Sequence, residues 1–529
     1  MRSLSRQFAL PALAALLSLP AFAQTTAATK PAMFEAADVQ ISRHSGYHMA
    51  ISGSLSGNRY RFQDATLVAI IASAYNVEPD RVVEGPSWLE LDHFNIVAQV
   101  PPATSPDTLR LMLRSLLADR FGLVAHTDVK PLPAFVLTTG SDPPKLKPAD
   151  SEGPSGCEGN QGLSAPPNFV FSCHNMTAAD LAIFLYNLNR PKDPVLDATG
   201  LKGAWNFDIK WNPYLMGTSQ GEIAVIDIAE KQLGLKLEAK LAPQPVVIVE
   251  TANRLPTPDP PGTADALPHA PTEFEVAVIK PSKPDTRSNG IVPRGSELDA
   301  RGLNMYQLII YGWDFNYLNF NGLANTPKWF DIERFDILAK LPAMPGGVAV
   351  DSEDLRPMIR SLLEERFKLK THTEVRPALA YVLTALVPKL KKADPASRST
   401  CREGPGPAGK DAASSMPLRS LICRNITMAQ FAVQMMNFEP SSVGDASVID
   451  ETGIQGGYDF TVTYNLPQAL RQPQAPSGET PMSAEAPEPT GILSFFDALK
   501  QQLGLKLEKQ NRPVPMLVID HVERTPTEN

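Results

Sequence analysis

The chain has 529 residues, which is more than one ordinary hydrophobic core holds and enough for two to four domains. Its hydrophobic content of 43% and charged content of 20% are typical of a soluble globular protein. The net charge of −8 argues against a nucleic-acid partner, because an acidic surface is repelled by a phosphate backbone.

Residues 1–23 have the pattern of a secretory signal peptide. Arg2 and Arg6 give a positive start, an apolar run follows, and Ala21-Phe-Ala23 is a small-residue cleavage site. An uncleaved membrane anchor is the alternative, but the apolar run is shorter than the roughly 20 residues of a spanning helix. We therefore expect an exported protein, periplasmic or extracellular, with no stable membrane span.

The mature chain begins with elements that recur later. Residues 34–42 and 274–282 both predict an opening strand, and a short helix is expected at 67–75 and again near 308–311. A proline turn, a tryptophan and a strand come next in both places. The tryptophans, Trp88 and Trp329, are expected to be core aromatic residues, and the alternative is a stacking platform for sugars or peptides.

The strongest repeat is Met112–Thr127 against Met358–Thr373, with ten of sixteen positions identical. Its apolar residues recur at helical spacing and the period then changes to two, which predicts a helix, a strand, a proline turn and a second strand. Arg120 and Arg366 end the two helices. There they are expected to complement the helix dipole, with an anionic ligand as the alternative.

Two histidines occupy equivalent positions on the strands that follow. His126 precedes Asp128 by two residues, and His372 precedes Glu374 in the same way, so each pair shares a strand face. Such a pair could supply two metal ligands, but no third ligand is visible in the sequence. We expect solvated surface pairs, and we assign no metal, no cofactor and no catalytic residue.

Four cysteines lie two to a copy, Cys157 with Cys173 and Cys401 with Cys423. In an oxidising compartment this arrangement favours a disulfide inside each copy. A metal site is the weaker alternative because the CxxC spacing is missing.

The two copies define the domain organisation. We place the first repeat at 24–255, a proline-rich linker at 256–272 and the second repeat at 273–529. Helices and strands alternate irregularly with short connections, so each copy is expected to be an α+β unit.

Several stretches carry a family resemblance: FEVAVIKPS, GPSWLELDHFNIVAQ, MLRSLLADRFGLVAH, LDATGLKGAWNF and QLGLKLE. Together they resemble the soil-associated protein family of Acidobacteria, the DUF3738 domain. The resemblance covers almost all of the mature chain twice, so the chain resembles a tandem fusion of a unit that most members carry once. It implies lineage and compartment, and it brings no activity, substrate or catalytic residue.

No common catalytic motif has a useful context, including GxSxG, HExxH, the P-loop and GxGxxG. The leading interpretation is a non-enzymatic binding or interaction module of the cell envelope, with an unknown envelope or extracellular ligand or protein as partner. Two similar modules raise the effective concentration at a paired target. An envelope or secreted hydrolase is the alternative, and a structural envelope component is a third hypothesis.

Overall fold

A computed structural model describes most of the chain. The described residues are 31–42, 52–140, 143–149, 153–161, 169–189, 193–212, 215–216, 219–267, 271–315, 322–343, 350–405, 418–444, 446–465 and 493–527. The expected signal peptide lies outside them. None of the described helices is long and apolar enough to cross a membrane.

The first repeat consists of two lobes connected by a pair of long strands. Its amino lobe contains β1 (Ala36–Ile41), β2 (Ser54–Ser56), β3 (Arg59–Thr66), α1 (Leu67–Tyr75), β4 (Val82–Glu84), β5 (His93–Gln99) and α2 (Pro106–Phe121). The long strand β6 (Val124–Thr139) leads into the carboxy lobe. That lobe contains β7 (Lys147–Pro148), β8 (Gly156–Gln161), β9 (Phe169–Met176), α3 (Ala178–Asn189), β10 (Val195–Asp197), β11 (Trp205–Trp211) and α4 (Ser219–Asp227). The second long strand, β12 (Leu235–Thr251), returns to the amino lobe, and a short helix, α5 (Thr263–Ala266), follows it.

The second repeat has the same order. Its amino lobe contains β13 (Val276–Pro281), β14 (Pro293–Arg294), β15 (Glu297–Asn304), α6 (Met305–Gly312), β16 (Leu323–Ala324), β17 (Arg334–Lys340) and α7 (Ser352–Arg366). After β18 (Lys370–Ala385), the carboxy lobe contains β19 (Lys391–Lys392), β20 (Thr400–Pro405), β21 (Leu418–Ile426), α8 (Met428–Phe438), α9 (Pro440–Val443), β22 (Val448–Asp450), β23 (Tyr458–Asn465) and α10 (Phe495–Ala498). The long strand β24 (Leu505–His521) closes the repeat.

The described strands form six four-stranded sheets, three for each repeat. In the first repeat the orders are β1-β5-β3-β2, β10-β6-β12-β4 and β7-β11-β9-β8, and the second repeat matches them strand for strand. This arrangement confirms the α+β class and the duplication. Each repeat has one large core cluster in each lobe, in which helices pack on sheets and on one end of the long strands.

The prediction of a proline turn between the two strands that follow each amphipathic helix was wrong. β6 runs as one strand through Pro131 and Pro133, and it pairs antiparallel with β12 along its whole length. A third strand joins this pair only near its ends, β10 at Phe135–Leu137 and β4 at Val247–Val249. In the two-stranded middle, every second N–H points away from the pair, so a proline there sacrifices no ladder hydrogen bond. We call each long pair, β6 with β12 and β18 with β24, a ribbon.

Each carboxy lobe contains one disulfide. Cys157 bonds to Cys173 and Cys401 to Cys423, at directly paired positions of β8 with β9 and of β20 with β21. The predicted pairing inside each repeat is therefore the pairing in the structure.

Candidate ligand cleft between the repeats

The two repeats contact each other through charged side chains of their amino lobes. Arg59 and Arg61 on β3 bind the carboxylates of Asp351 and Asp354 at the start of α7. Arg61 lies 2.9 Å from an oxygen of each carboxylate, and Arg59 and Asp354 are almost fully buried. Burial alone would raise the pKa of Asp354, but the two guanidinium groups hold that pKa below its ordinary value.

A second contact joins the amino lobe of the first repeat to the carboxy lobe of the second. Glu90 accepts from Arg398 at 2.6 Å and from Arg402 at 2.7 Å. Arg398 also donates to the backbone carbonyls of Val82, at 2.6 Å, and Glu84, at 3.2 Å. Beside these charges, Leu91 packs against the core of the partner lobe.

These contacts frame a cleft of about 950 Å³, which we call the inter-repeat cleft. Its first wall is the first turn of α1 with the loop at 76–81, and its second is α3 with residues 194–196. Residues 243–245 of the ribbon line it as well, and Cys401, Arg402, Gln434 and Phe438 of the second repeat complete it. Three lobes therefore contribute, and one repeat alone does not form the cleft.

The cleft lining is mainly apolar with several neutral amides. Val68, Val77, Ile183 and Phe438 supply apolar surface, and the amides are Asn76, Asn187, Gln244 and Gln434. The amide nitrogen of Gln244 is already bound, since it donates to the carbonyls of Leu132 and Pro133.

The charges in the lining largely pair with one another. Glu90 is shared by two arginines, and Arg81 lies 3.5 Å from Asp80. The remaining acid, Glu78, is exposed. A ligand in this cleft would therefore meet few uncompensated charges.

The described lining contains no pair of a nucleophile and a base. The hydroxyl of Thr66 accepts from the N–H of Ala69 as the cap of α1, and Cys401 is in a disulfide. Across all described residues, no group of three or more histidine, cysteine, aspartate or glutamate side chains is arranged to hold a metal ion.

None of the six ligand candidates from the sequence is among the described residues that line the cleft. Trp88 and Trp329 lie partly buried against the amino-lobe cores, each in an edge-to-face contact with a phenylalanine at 6.4 Å. Their positions are equivalent in the two repeats.

Arg120 and Arg366 are buried and bind backbone. Arg120 donates to the carbonyls of Thr257 and Ala37, and Arg366 donates to those of Thr527 and Ala277. Arg120 also forms an ion pair with Asp259 at 2.5 Å. Each arginine thus fixes the segment that follows the last long strand of its repeat, and part of the predicted linker lies against the first repeat.

His126 and His372 are about half exposed, and both bind an acid across the ribbon. His126 Nδ1 lies 2.8 Å from Glu250, and His372 Nδ1 lies 2.9 Å from Asp520. The acid two residues along the same strand is farther away for His372, since Glu374 lies at 3.7 Å. Hydrogen bonding to Asp520 raises the pKa of His372.

Sequence reasoning missed the charged residues of the inter-repeat contacts. A signal was present, because the copies differ in charge at most of these positions. Arg59 and Arg61 correspond to Glu297 and Asp299, and Arg402 corresponds to Glu158. Residues that serve the shared fold are alike in both copies, whereas residues that connect the copies need not be.

Comparison of the chain with known protein families finds a match to one family. The model of a family described as "Protein of unknown function (DUF3738)" matches residues 68–252 and 306–522. The search of curated proteins and the search of solved structures each found no match.

Proposed function

We propose that this chain, which belongs to the DUF3738 family in two copies, is an exported binding protein that holds a small neutral ligand in the inter-repeat cleft. The observation that carries the proposal is the cleft itself, with a volume of about 950 Å³ and walls from both repeats. Sites for small molecules are concave, mostly apolar and provided with a few polar groups, and this cleft has those properties.

The lining suggests the class of ligand. Aliphatic and aromatic side chains would surround an apolar body, and Asn76, Asn187 and Gln434 would bind its hydrogen-bonding groups. A strongly charged ligand fits less well, because the ion pairs around Glu90 are already satisfied. We therefore infer a neutral amphipathic molecule.

Export is part of this proposal. Its support is the signal-like sequence at residues 1–23 together with the two disulfides, which persist in oxidising compartments. The proposed location in the cell envelope and the proposed origin in a soil acidobacterium rest on the family resemblance of the sequence. No observation among the described residues favours the hydrolase alternative.

A neutral fluorophore tests the cleft. N-phenyl-1-naphthylamine, which is apolar and has one N–H donor, should bind the full chain saturably with a rise in fluorescence. Ile183→Arg places a charge on the α3 wall, and we expect it to weaken binding about tenfold or more. Gln434→Trp narrows the cleft from the second repeat and should have the same effect.

Ile223 provides the matched control. It is exposed to 56%, Ile183 to 58%, and it lies on the neighbouring helix α4 outside the described lining. Ile223→Arg should leave the binding unchanged. Equal loss in both isoleucine variants, or fluorescence that never saturates, would refute the proposed site.

A further inference from the structure

The second repeat contains a copy of the surface by which the first repeat binds its partner lobe. In the first repeat we call this surface the docking face, and it consists of Glu90, Leu91 and the edge strand β4. Its occupant is the turn at residues 395–397 together with the start of β20, which present Arg398 and Arg402 and which we call the arginine turn. Charge, edge carbonyls and one apolar side chain together hold this turn.

The same backbone recurs at residues 323–333. β16 is the edge strand equivalent to β4, and it pairs in parallel with the returning long strand as β4 does. Glu84 and Asn325 both have a positive φ, 59° and 60°. The N–H of Leu91 bonds to the carbonyl of Trp88 at 2.9 Å, and that of Ile332 bonds to Trp329 at 3.2 Å.

The side chains on this copied face retain the necessary chemistry. Asp331 stands in the place of Glu90, and Ile332 stands in the place of Leu91. Glu333 is tied to Arg524, as Asp92 is tied to Arg254 in the first repeat. Lys328 replaces Ser87, but the bond made there in the first repeat uses the Ser87 carbonyl, which every residue provides.

Nothing among the described residues covers the copied face. Ile332 is 73% exposed, and the side chain of Asp331 forms no ion pair with a described residue. A groove of about 490 Å³ opens on one side of Ile332. The groove is lined by prolines 281, 284 and 526 with Ile332 and Phe335, and by the charged residues Lys283, Glu333, Arg334 and Arg524. Arg524 is paired with Glu333, and Arg334 donates to the carbonyl of Gly302. An exposed isoleucine at the rim of such a groove, next to an unpaired carboxylate, is the pattern of an interaction surface.

We propose that this second docking face, formed by Asp331, Ile332 and strand β16, binds an arginine-bearing turn of another protein. The contact in the first repeat is the template, since the equivalent surface there is occupied by such a turn. A guanidinium suits both an edge carbonyl and a carboxylate, and its aliphatic stem packs on an apolar neighbour.

A second copy of this chain does not supply the turn. Arg398 and Arg402 are engaged inside each chain. The equivalent turn of the first repeat has Pro154 and Glu158 at these positions, and Glu158 would repel Asp331. The partner is therefore a different protein.

A peptide probe tests the proposal on the full chain. The probe has the sequence of residues 394–404 with Cys401→Ser, so that it presents both arginines without a thiol. The protein contains 5-fluorotryptophan at its five tryptophan positions, and ¹⁹F NMR follows Trp329 beneath the free face and Trp88 beneath the occupied one. The peptide should shift the Trp329 resonance saturably and leave that of Trp88 in place.

Paired variants separate recognition from non-specific binding. Asp331→Asn and Ile332→Ser change exposed side chains, and each should weaken the peptide at least about tenfold. A peptide with alanine in place of both arginines should not shift Trp329. No saturable shift at millimolar peptide, or a shift that both variants retain, would overturn the proposal. Self-association of the full chain that Ile332→Ser abolishes would also overturn it, because a second copy would then occupy the face.

Discussion

Arg59 and Asp354 form an ion pair that joins the two repeats and is almost fully buried, with 2% and 1% of the two side chains exposed. The first of these positions carries Glu297 in the other copy, and the second carries Thr108. Glu297 and Thr108 cannot form an ion pair, so the contact cannot be repeated with the roles of the two repeats exchanged. Different surfaces of the two repeats therefore meet in this contact.

Removal of one member of this pair should weaken the contact between the repeats. Arg59→Met keeps the apolar stem and leaves Asp354 with Arg61 alone, so we expect the free energy of unfolding to fall by about 3 kcal/mol. Urea unfolding followed by circular dichroism measures this loss. Arg110→Met is the control, since Arg110 pairs with the exposed Asp107 and should contribute less than about 1 kcal/mol.

The neighbouring carboxyl groups of Asp38 and Asp259 should make the stability of the protein depend on pH. Burial and the neighbouring Asp259 carboxylate raise the pKa of Asp38 to about 6, from 3.8. A raised folded pKa means that the folded protein binds the proton more tightly, so this stabilisation is full below pH 3.8 and is lost as the pH rises through 6. Asp38 is partly exposed, and we expect a loss of about 1 to 2 kcal/mol.

An amide at position 38 mimics the protonated acid. Asp38→Asn should therefore raise stability at pH 8 and remove this part of the change in melting temperature between pH 4 and 8. The exposed Asp107→Asn should leave the profile as it is. An Asp38→Asn profile parallel to that of the unchanged chain would show that the acid pair does not titrate in this range.

The end of α7 offers a stabilising substitution. Lys368 has φ of 50°, in the left-handed region, where the first copy has Gly122 with φ of 54°. A side chain is strained there, so Lys368→Gly should stabilise the protein by about 1 kcal/mol. The reverse change, Gly122→Lys, should destabilise it by a similar amount in thermal unfolding. The prediction is confirmed if the first substitution raises the free energy of unfolding and the second lowers it.

The histidines are expected to be surface groups without metal. His372→Ala removes a half-exposed ring whose partner is Asp520, and it should change the melting temperature by less than about 2 °C. Chelator should make no difference. Stoichiometric zinc in purified protein, lost in this variant, would reverse the interpretation.

Much of the architecture could be predicted from the sequence because the chain is duplicated. A pattern that occurs in both copies is stronger evidence for an element than a pattern that occurs once. Two copies of the amphipathic stripe of Met112–Phe121 establish a helix more firmly than one stripe does. The cysteine pairing followed from equivalence in the same way. The continuous strand through Pro131 was missed, because a proline breaks a strand only where its N–H is needed, and that depends on which strands lie alongside.

The candidate cleft could not be read from the sequence for a related reason. Its walls come from three lobes, and residues such as Val68, Ile183 and Phe438 each look like ordinary helix positions. Only tertiary packing brings them together. The arginines that connect the two repeats occupy positions where the charge differs between the copies. Such a difference does not indicate which acidic residue each arginine binds.

The boundary of the first repeat gives the last prediction. A fragment of residues 24–255 should fold, and so should 272–529, if each repeat holds its own core as the sequence predicts. The structure adds a condition for the first fragment. Arg120 is 2% exposed, and the carbonyl of Thr257 and the carboxylate of Asp259 bind it, so a chain that ends at residue 255 leaves this guanidinium without both partners.

A longer fragment, 24–267, retains those partners and the helix α5. We expect it to be more stable than 24–255 by about 2 to 3 kcal/mol in urea unfolding, because a buried charge that loses its partners is strongly destabilising. Arg120→Met should remove most of that difference between the two fragments, since the methionine needs neither group. Equal stability of the two fragments with arginine in place would show that residues 256–267 are a passive connector, and that the first repeat ends at 255.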